Sequence, residues 1–368
     1  MKRLVQIISI LFLFFYFQLL PAEPAAAPPP EHKPFYELIA VPTGQTKIQL
    51  EAQLEAYKKA RNYPPGEEPI IVAVPQVRYI PVYTPIPFYQ PDTLYYIAPP
   101  GGPVKFFDPT CMCESDQEVS GLKKTLDQQR LQLERILSVR SALYNYYLYN
   151  KKLPDSLTEL TKPFPNNYLS EIPFQSPIHG DIPALEETGV IYRPELFNPK
   201  QAWQTLDEVF RVGGMRKPTF PLMPLEVVVY QSSFRMIVYT GAIPVRSYYI
   251  GLGAENRTPL GTYFIKLKVN EPLSQSKVYG TRGLVLSDTD YAIHGTNNPA
   301  SIGQAVSKGC VRLHNFQVEE LFSIAPIGTK VTITNSSAPE FRQPNARGYY
   351  LKARENEKNP TQVYHWKE

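Results

Sequence analysis

A cysteine and a histidine that could act together lie in residues 293–315, IHGTNNPASIGQAVSKGCVRLHN. Cys310 follows His294 by sixteen positions, and each stands beside a glycine, Gly309 before the cysteine and Gly295 after the histidine. A thiol becomes a strong nucleophile when a neighbouring base takes its proton. A histidine at the end of a strand can reach a thiol on a neighbouring loop. The pair therefore predicts a Cys/His site for acyl transfer.

The backbone around this pair can supply the other parts of such a site. A glycine before the nucleophile allows a tight turn and a close approach of substrate. The amides of Gly309 and Cys310 are the predicted oxyanion hole, which would hold negative charge on a substrate oxygen. The segment has no aspartate to orient the imidazole of His294, so the carbonyl of Gly295 is the predicted hydrogen-bond acceptor.

The residues next to the cysteine favour a reactive thiol over a structural one. Lys308 and Arg312 bring positive charge, which stabilises a thiolate, and an arginine also suits substrate carboxylates. A structural cysteine would have apolar neighbours, whereas SKGCVRLHN is polar. His314 is predicted to serve the loop or the start of the next helix, and Tyr279 and Tyr291 are predicted to pack.

Residues 224–335 are predicted to form the mainly β domain that positions the pair. LEVVVYQSSFRMIVYTGAIPVRSYYIGLG predicts three strands, with turns at Ser232 and Ser233 and near Gly241. GTYFIKLKVN, DYAIHG and GTKVTIT predict three further strands. FQVEELFSI predicts one helix with Asn315 as its N-cap and acidic residues in its first turns.

Three segments flank this domain in the chain. Residues 116–223 predict an α+β helical module, because leucines and tyrosines recur at helical spacing before a break at Pro154. Residues 28–115 are rich in proline and tyrosine and predict an extended linker without an interior sheet strand, since proline lacks a backbone donor. A short helix is predicted within it at KIQLEAQLEAYKKARN. Residues 336–368 predict a polar tail without a core of its own.

The segment around the cysteine resembles the L,D-transpeptidase catalytic domain (YkuD-type). The resemblance lies in HG followed by SKGCVRLHN, and it continues forward to IGTKVTIT. It also extends backward through TPLGTYFI, where Thr258, Pro259 and Gly261 match the family's threonine-proline-x-glycine segment. It covers about residues 224–335. Lys308 departs from the pattern, because many members carry histidine or arginine there.

This resemblance implies a β-sandwich-like domain with a catalytic cleft for peptidoglycan stem peptides. Cys310 would attack the bond between the third and fourth residues of a tetrapeptide stem, and D-alanine would leave. An amine would then take the acyl group, which gives a cross-link between the third residues of two stems or an anchored protein. His294 would be the base, and Ser307, Arg312 and Thr258 would bind the donor stem. No metal and no organic cofactor is implied.

A second resemblance concerns the middle module. ALYNYYLYNKKLPDSLTELTKPFPNNYLSEIP resembles the part of type II secretion pseudopilins (G-like) that follows their membrane helix. The shared features are a long helix, a tyrosine pair, a proline-serine-leucine step and an IP turn. The resemblance implies an α+β scaffold module, with other envelope proteins as candidate partners. The apolar side chains that recur along this module are predicted to pack in its core.

The first residues predict export. Lys2 and Arg3 precede a long apolar run, and PAEPAAA supplies small residues, with Ala25 and Ala27 spaced for cleavage. Residues 1–27 are therefore predicted to be a signal peptide or an uncleaved N-terminal anchor. Either places the protein in the periplasm or cell wall of a bacterium, with that anchor as its predicted membrane contact.

Composition excludes two other classes of protein. A net charge of +4 over 368 residues, without a basic run carrying stacking aromatics, does not indicate a nucleic-acid binder. Three cysteines are too few for a disulfide framework. Cys111 and Cys113 are predicted to be two ordinary thiols or to form one strained disulfide. No histidine lies near them in the sequence, so a metal site is not indicated there. His179 and His365 have no predicted role.

Two other functions stay open on the sequence. The same acyl-enzyme with water as acceptor would make an L,D-carboxypeptidase. A degenerate catalytic domain would leave a non-catalytic envelope scaffold protein. The intact His294, Gly309 and Cys310 argue against the second.

Overall fold

The structure is a computed structural model, and its described residues belong to one compact unit that spans residues 35–368. The described residues are 36–41, 46–63, 70–75, 95–98, 105–107, 117–174, 189–212, 222–241, 243–339 and 349–367. The predicted signal segment, Cys111, Cys113 and His179 lie outside them.

A four-stranded sheet forms part of the proline-rich region. Its strands, in sheet order, are β1 (Tyr36–Val41), β2 (Ile70–Pro75), β3 (Tyr95–Ala98) and β4 (Lys105–Phe107). The prediction that this region holds no interior strand is wrong for two strands, because β2 pairs with β1 and β3, and β3 pairs with β2 and β4. The only proline of IIVAVP is its last residue, so the preceding amides can still donate to neighbouring strands. The short helix is confirmed as α1 (Lys47–Arg61), whose N-cap Thr46 forms a capping box with Gln49.

The middle of the chain is helical and shares its core with the domain that follows. Helix α2 spans Gln117–Asn150, and a 3₁₀ turn at Leu157–Thr161 starts at the N-cap Ser156. A small two-stranded sheet and a one-turn helix follow, namely β5 (Val190–Tyr192), α3 (Leu206–Val209) and β6 (Phe210–Val212). Leu137 of α2 and Val227 of the following domain lie in one continuous hydrophobic core.

Eight strands of the following region form one sheet, and two more form a small parallel pair. In chain order they are β7 (Leu225–Tyr230), β8 (Arg235–Thr240), β9 (Ile243–Tyr249), β10 (Leu252–Gly253), β11 (Gly261–Asn270), β12 (Arg282–Leu286), β13 (Ala292–His294), β14 (Ala305–Ser307), β15 (Val311–Arg312) and β16 (Lys330–Thr334). The eight-stranded order is β15-β13-β12-β11-β16-β7-β8-β9, and β10 pairs with β14. The predicted mainly β domain is confirmed.

Strand β11 divides this sheet into two halves. Its first four residues pair with β16, whereas the rest, from Ile265 onward, pair with β12. The half made of β11, β12, β13 and β15 therefore carries both His294 and the residue after Cys310. Helix α4 (Asn315–Ile324) packs on β12 and β13, in the half of the sheet that carries His294.

Two local predictions differ from the structure. The N-cap of α4 is His314 rather than Asn315, and the first turn of α4 has no acidic residue. The side chain of Asn315 instead accepts a hydrogen bond from the Thr281 amide at 3.2 Å. Strand β12 was not predicted, because all five residues of RGLVL are buried and the run lacks the alternation that marks a half-exposed strand.

The C-terminal tail packs against the rest of the unit, and its described residues, 336–339 and 349–367, form no named strand. Tyr349 and Leu351 join the main core. Tyr364 and Trp366 join a second apolar cluster that also contains Cys310. The tail was predicted as polar, and these four side chains are buried, whereas Tyr350 and Val363 are about half exposed.

Candidate active site

The pairing of β13 with β15 brings the histidine and the cysteine to one face of the sheet. The two strands are parallel, with Ile293 opposite Val311 and His294 opposite Arg312. One step back in this register, Cys310 lies beside Ala292, whose amide donates to the Cys310 Sγ at 3.3 Å. Side chains two residues apart on a strand share a face. Cys310 and His294 are therefore diagonal neighbours on the same face.

The imidazole of His294 is held by the backbone acceptor that the sequence predicts. Its Nδ1 lies 2.5 Å from the carbonyl oxygen of Gly295. A carbonyl oxygen only accepts, so Nδ1 carries the proton and Nε2 is the basic nitrogen of the neutral ring. The ring of Tyr279 contacts the imidazole edge-on, with centroids 5.0 Å apart. The predicted packing role of Tyr279 agrees with its burial.

The turn before the nucleophile requires a glycine. Gly309 has φ +145°, and a Cβ there would lie 2.6 Å from Cε1 of Tyr291 and 2.9 Å from the carbonyl oxygen of Arg257. Its amide donates to the Ser307 hydroxyl at 3.1 Å, and that hydroxyl donates to the Cys310 carbonyl at 2.8 Å. These two hydrogen bonds hold the loop of residues 307–310 in place around Cys310.

The residues assigned to stem binding differ in their position. Thr258 and Ser307 are buried, and the Thr258 hydroxyl accepts from the Gly253 amide at 2.8 Å. Their hydroxyls therefore support the loops around Cys310. Arg312 is half-buried and Lys308 is exposed, so both charged side chains lie nearer to solvent.

The tail lies directly on this site. The Cys310 amide donates to the Lys367 carbonyl at 2.8 Å, and the Lys367 amide donates to the Asp290 carbonyl at 2.9 Å. The indole of Trp366 stacks on the imidazole of His294, with centroids 5.9 Å apart and planes 26° from parallel. Both Cys310 and His294 have 0% of their surface exposed.

Sequence reasoning did not assign a site role to the tail residues. Residues 364–366 read YHW, an aromatic cluster within a polar tail. Such a cluster at the end of the chain is a signal for burial against the domain, because large aromatic side chains are seldom left in water without a partner surface. Burial also raises the pKa of the Tyr364 hydroxyl, and a hydrogen bond from Asn359 opposes that shift.

The described residues contain no group of three or more histidine, cysteine and acidic side chains placed to hold a metal ion. In the same part of the chain, no helix is long and apolar enough to span a membrane.

Comparison with known proteins finds relatives of the region that carries the site. Residues 224–333 match the family described as L,D-transpeptidase catalytic domain, YkuD. The Bacillus subtilis protein named as L,D-transpeptidase YkuD is 38% identical over 138 residues, which cover 37% of this chain and 81% of that protein. Its Bacillus licheniformis namesake is 40% identical over 124 residues, which cover 33% of this chain and 72% of that protein.

Among solved structures, an L,D-transpeptidase from Xylanimonas cellulosilytica is similar at 20% sequence identity. The match has a TM-score of 0.27 and covers 36% of this chain and 69% of that chain.

Proposed function

Because the chain belongs to the L,D-transpeptidase family, we propose that it is a cysteine-dependent acyltransferase that acts on peptidoglycan stem peptides. The observation that carries this proposal is the β13–β15 register, which sets Cys310 and His294 on one face. The hydrogen bond from Nδ1 of His294 to the Gly295 carbonyl supports it, because it leaves Nε2 as the base.

The first half of the reaction forms an acyl-enzyme. Nε2 of His294 takes the proton of the Cys310 thiol, and the thiolate attacks the carbonyl carbon between the third and fourth stem residues. A carbon–sulfur bond forms and the carbon–nitrogen bond breaks. His294 returns the proton to the amine of the departing D-alanine. The result is a thioester on Cys310.

The second half transfers the acyl group to an amine. The amine attacks the thioester carbon, its proton passes to His294, and the thiol of Cys310 is restored. An amine on a second stem gives a cross-link, and an amine on a protein gives an anchored protein. Water in the same position gives a shortened stem, which is the carboxypeptidase alternative.

The loop before β15 supplies the electrostatic support. The Cys310 amide is the oxyanion donor that we propose. The predicted Gly309 amide is bonded to Ser307 of its own loop, whereas the Cys310 amide is bonded to Lys367 of the C-terminal tail. Arg312 and Lys308 are the cationic side chains that we assign to the carboxylates of a stem. We assign Ser307 and Thr258 as positioning residues, since their hydroxyls are bonded within the loops.

We further propose that the protein acts outside the cytoplasmic membrane, in the periplasm or cell wall. The support for this location is the apolar and small-residue pattern of residues 1–27. The substrate we assign is found in that compartment, which agrees with the proposed location.

Intact-protein mass spectrometry tests the proposed chemistry. The chain from residue 28 onward is incubated with a disaccharide-tetrapeptide, beside its Cys310→Ala and His294→Gln variants. We expect a mass gain equal to the acyl tripeptide fragment in the parent protein, none in Cys310→Ala, and slower formation in His294→Gln. Product masses then identify the acceptor as an amine or water. Turnover retained by Cys310→Ala would contradict the role of the cysteine.

A further inference from the structure

The end of the chain crosses the proposed catalytic face as an extended segment. The Tyr364 amide donates to the Leu273 carbonyl at 2.9 Å, and the Lys367 amide and carbonyl bond to Asp290 and Cys310. Side-chain burial alternates along it, with Tyr364 and Trp366 buried and His365 and Lys367 exposed. We call residues Tyr364–Lys367 the strap.

The strap closes access to both proposed catalytic side chains. The indole of Trp366 lies on the His294 ring and packs against Tyr279, with centroids 4.5 Å apart. The hydroxyl of Tyr279 donates to the backbone carbonyls of Tyr364 and Trp366, at 3.4 and 3.3 Å. Since Cys310 is fully buried beneath this cluster, a stem peptide cannot reach the sulfur while the strap is in place.

The strap also occupies the proposed oxyanion position. The Cys310 amide donates to the Lys367 carbonyl at 2.8 Å, which is ordinary hydrogen-bond geometry. A substrate carbonyl that is attacked by the thiol would need this donor. The carbonyl of Lys367 therefore lies where an acyl donor would place its own.

The contacts that hold the strap at its two ends differ in strength. Upstream, Glu357 is fully buried and accepts hydrogen bonds from the Arg354 amide at 2.8 Å and from Asn167 at 3.2 Å. Residues 360–363 between this anchor and the strap are exposed. At the far end, the Lys367 backbone bonds to Asp290 and Cys310. The Lys367–Asp290 ion pair there spans 3.5 Å between two half-exposed side chains, and such pairs contribute little.

We propose that the strap is an autoinhibitory segment, which occupies the substrate cleft and must leave before a stem peptide can bind. The anchor at Glu357 keeps it tethered after release, with residues 358–363 as the hinge. The autoinhibitory role of the strap rests on the proposed function, whereas the burial of the Cys310 thiol under the strap does not.

Alkylation of Cys310 by iodoacetamide measures that covering without any turnover. Cys111→Ser and Cys113→Ser in the full mature chain leave Cys310 as the sole thiol. We expect the alkylation rate to rise about tenfold or more when residues 364–368 are deleted, because opening of the cover limits labelling. Trp366→Ala should raise the rate as well, whereas His365→Ala, on the exposed side of the same segment, should leave it unchanged.

A peptide added in trans separates loss of the strap from loss of folding. A synthetic peptide of residues 359–368, added to the deleted protein, should lower the alkylation rate again. The same peptide with tryptophan replaced by alanine should not. Equal alkylation rates in the parent and deleted proteins would overturn the proposal, and so would a raised rate that the peptide leaves unchanged.

Acyl-enzyme formation on the same proteins distinguishes the two proposals. Faster acylation in the deleted protein supports both. Faster alkylation without acylation by the stem supports the strap as a cover and contradicts the proposed substrate. Acylation at an equal rate in both proteins contradicts autoinhibition and leaves the transpeptidase assignment intact.

Discussion

At the level of single residues, backbone groups and one glycine set the positions of the Cys310 and His294 side chains. Gly309 turns the chain with φ +145° against Tyr291. The Gly295 carbonyl sets the tautomer of His294. Ser307 joins the Gly309 amide to the Cys310 carbonyl. These contacts fix where the thiol and imidazole lie before any substrate arrives.

Gly309→Ala tests the first of these contacts. The new methyl group would meet both the Tyr291 ring and a backbone carbonyl, and the backbone would be held at a positive φ. We expect a loss of about 1–3 kcal/mol in the free energy of unfolding, as for other strained backbone positions. Acylation should slow by about 100-fold, because a small displacement of catalytic groups lowers the rate by about that factor. Denaturant unfolding and intact mass measure the two effects.

Gly303→Ala is the matched control for that variant. Gly303 also has a positive φ, +83°, but nothing lies within 4 Å of a Cβ placed there. It should show a smaller loss of stability and near-normal acylation. If both variants acylate at the parent rate, the close packing at Gly309 does not position the nucleophile.

At the level of elements, α2 is joined to the sheet by buried polar contacts. The Leu225 amide at the start of β7 donates to the Ser141 hydroxyl at 3.0 Å. Arg246 of β9 and Glu134 of α2 form an ion pair at 2.6 Å in which neither side chain exceeds 1% exposure. These contacts place polar groups and two opposite charges in the interface between the helix and the sheet.

Glu134→Gln tests that ion pair. Removing one charge leaves Glu320 as the remaining buried acidic neighbour of the Arg246 guanidinium. We expect a loss of about 3–5 kcal/mol in the free energy of unfolding, because the hydrogen-bonded partner charge is lost. Glu134→Leu combined with Arg246→Met should recover part of this loss, because both charges of the ion pair are removed together. Denaturant unfolding of all three proteins measures the differences.

An exposed pair supplies the comparison. Lys330 and Glu226 lie 3.1 Å apart with 43% of each side chain exposed. Glu226→Gln should cost less than about 1 kcal/mol. Equal losses for Glu134→Gln and Glu226→Gln would show that burial does not govern the contribution of the α2 pair.

At the level of the whole molecule, three distant regions meet at one buried point. The Asn167 side chain donates to the Lys268 carbonyl and to the Glu357 carboxylate, each at 3.2 Å. The Lys268 ammonium donates to the Tyr168 carbonyl at 3.0 Å and lies 4.5 Å from the centre of the Phe322 ring. This junction holds the middle module, β11 and the C-terminal tail together.

Lys268 should make the stability of the protein depend on pH. Burial lowers the pKa of Lys268 from its ordinary 10.5 to about 7, and the Glu357 carboxylate partly opposes this shift. Between these two values the unfolded chain holds a proton that the folded chain has released, so the free energy of unfolding rises with pH. In Lys268→Met, the free energy of unfolding should rise less between about pH 7 and pH 9 than in the parent protein. The difference should reach up to a few kcal/mol.

Lys266→Met controls for the loss of a lysine on the same strand, since Lys266 is exposed. Its pH dependence should match that of the parent protein. The comparison uses denaturant unfolding at several pH values. Identical slopes in the parent and Lys268→Met proteins would mean that Lys268 keeps its proton in the fold.

Much of the catalytic domain is predictable because its signals are local. Alternating strands, a glycine turn at Gly241 and the helix FQVEELFSI are each encoded within a dozen residues, and β7, β8, β9, β11, β13, β16 and α4 follow them. The predictions that fail concern the N-cap of α4 and the interior strands β2 and β3, and the strands β12, β14 and β15 were not predicted. In each case the partner contacts that decide the outcome are remote in sequence.

The sequence by itself determined the candidate Cys310 and His294 pair, the glycine before Cys310 and the carbonyl that accepts from the imidazole, since these depend on residue type and short spacing. Only the tertiary structure decided that Cys310 and His294 are covered by Trp366 and Lys367. That contact joins residues more than fifty positions apart through one backbone hydrogen bond and one aromatic stack. Such contacts leave no periodic pattern in the sequence, because they arise only when separate segments of the chain meet in the folded protein.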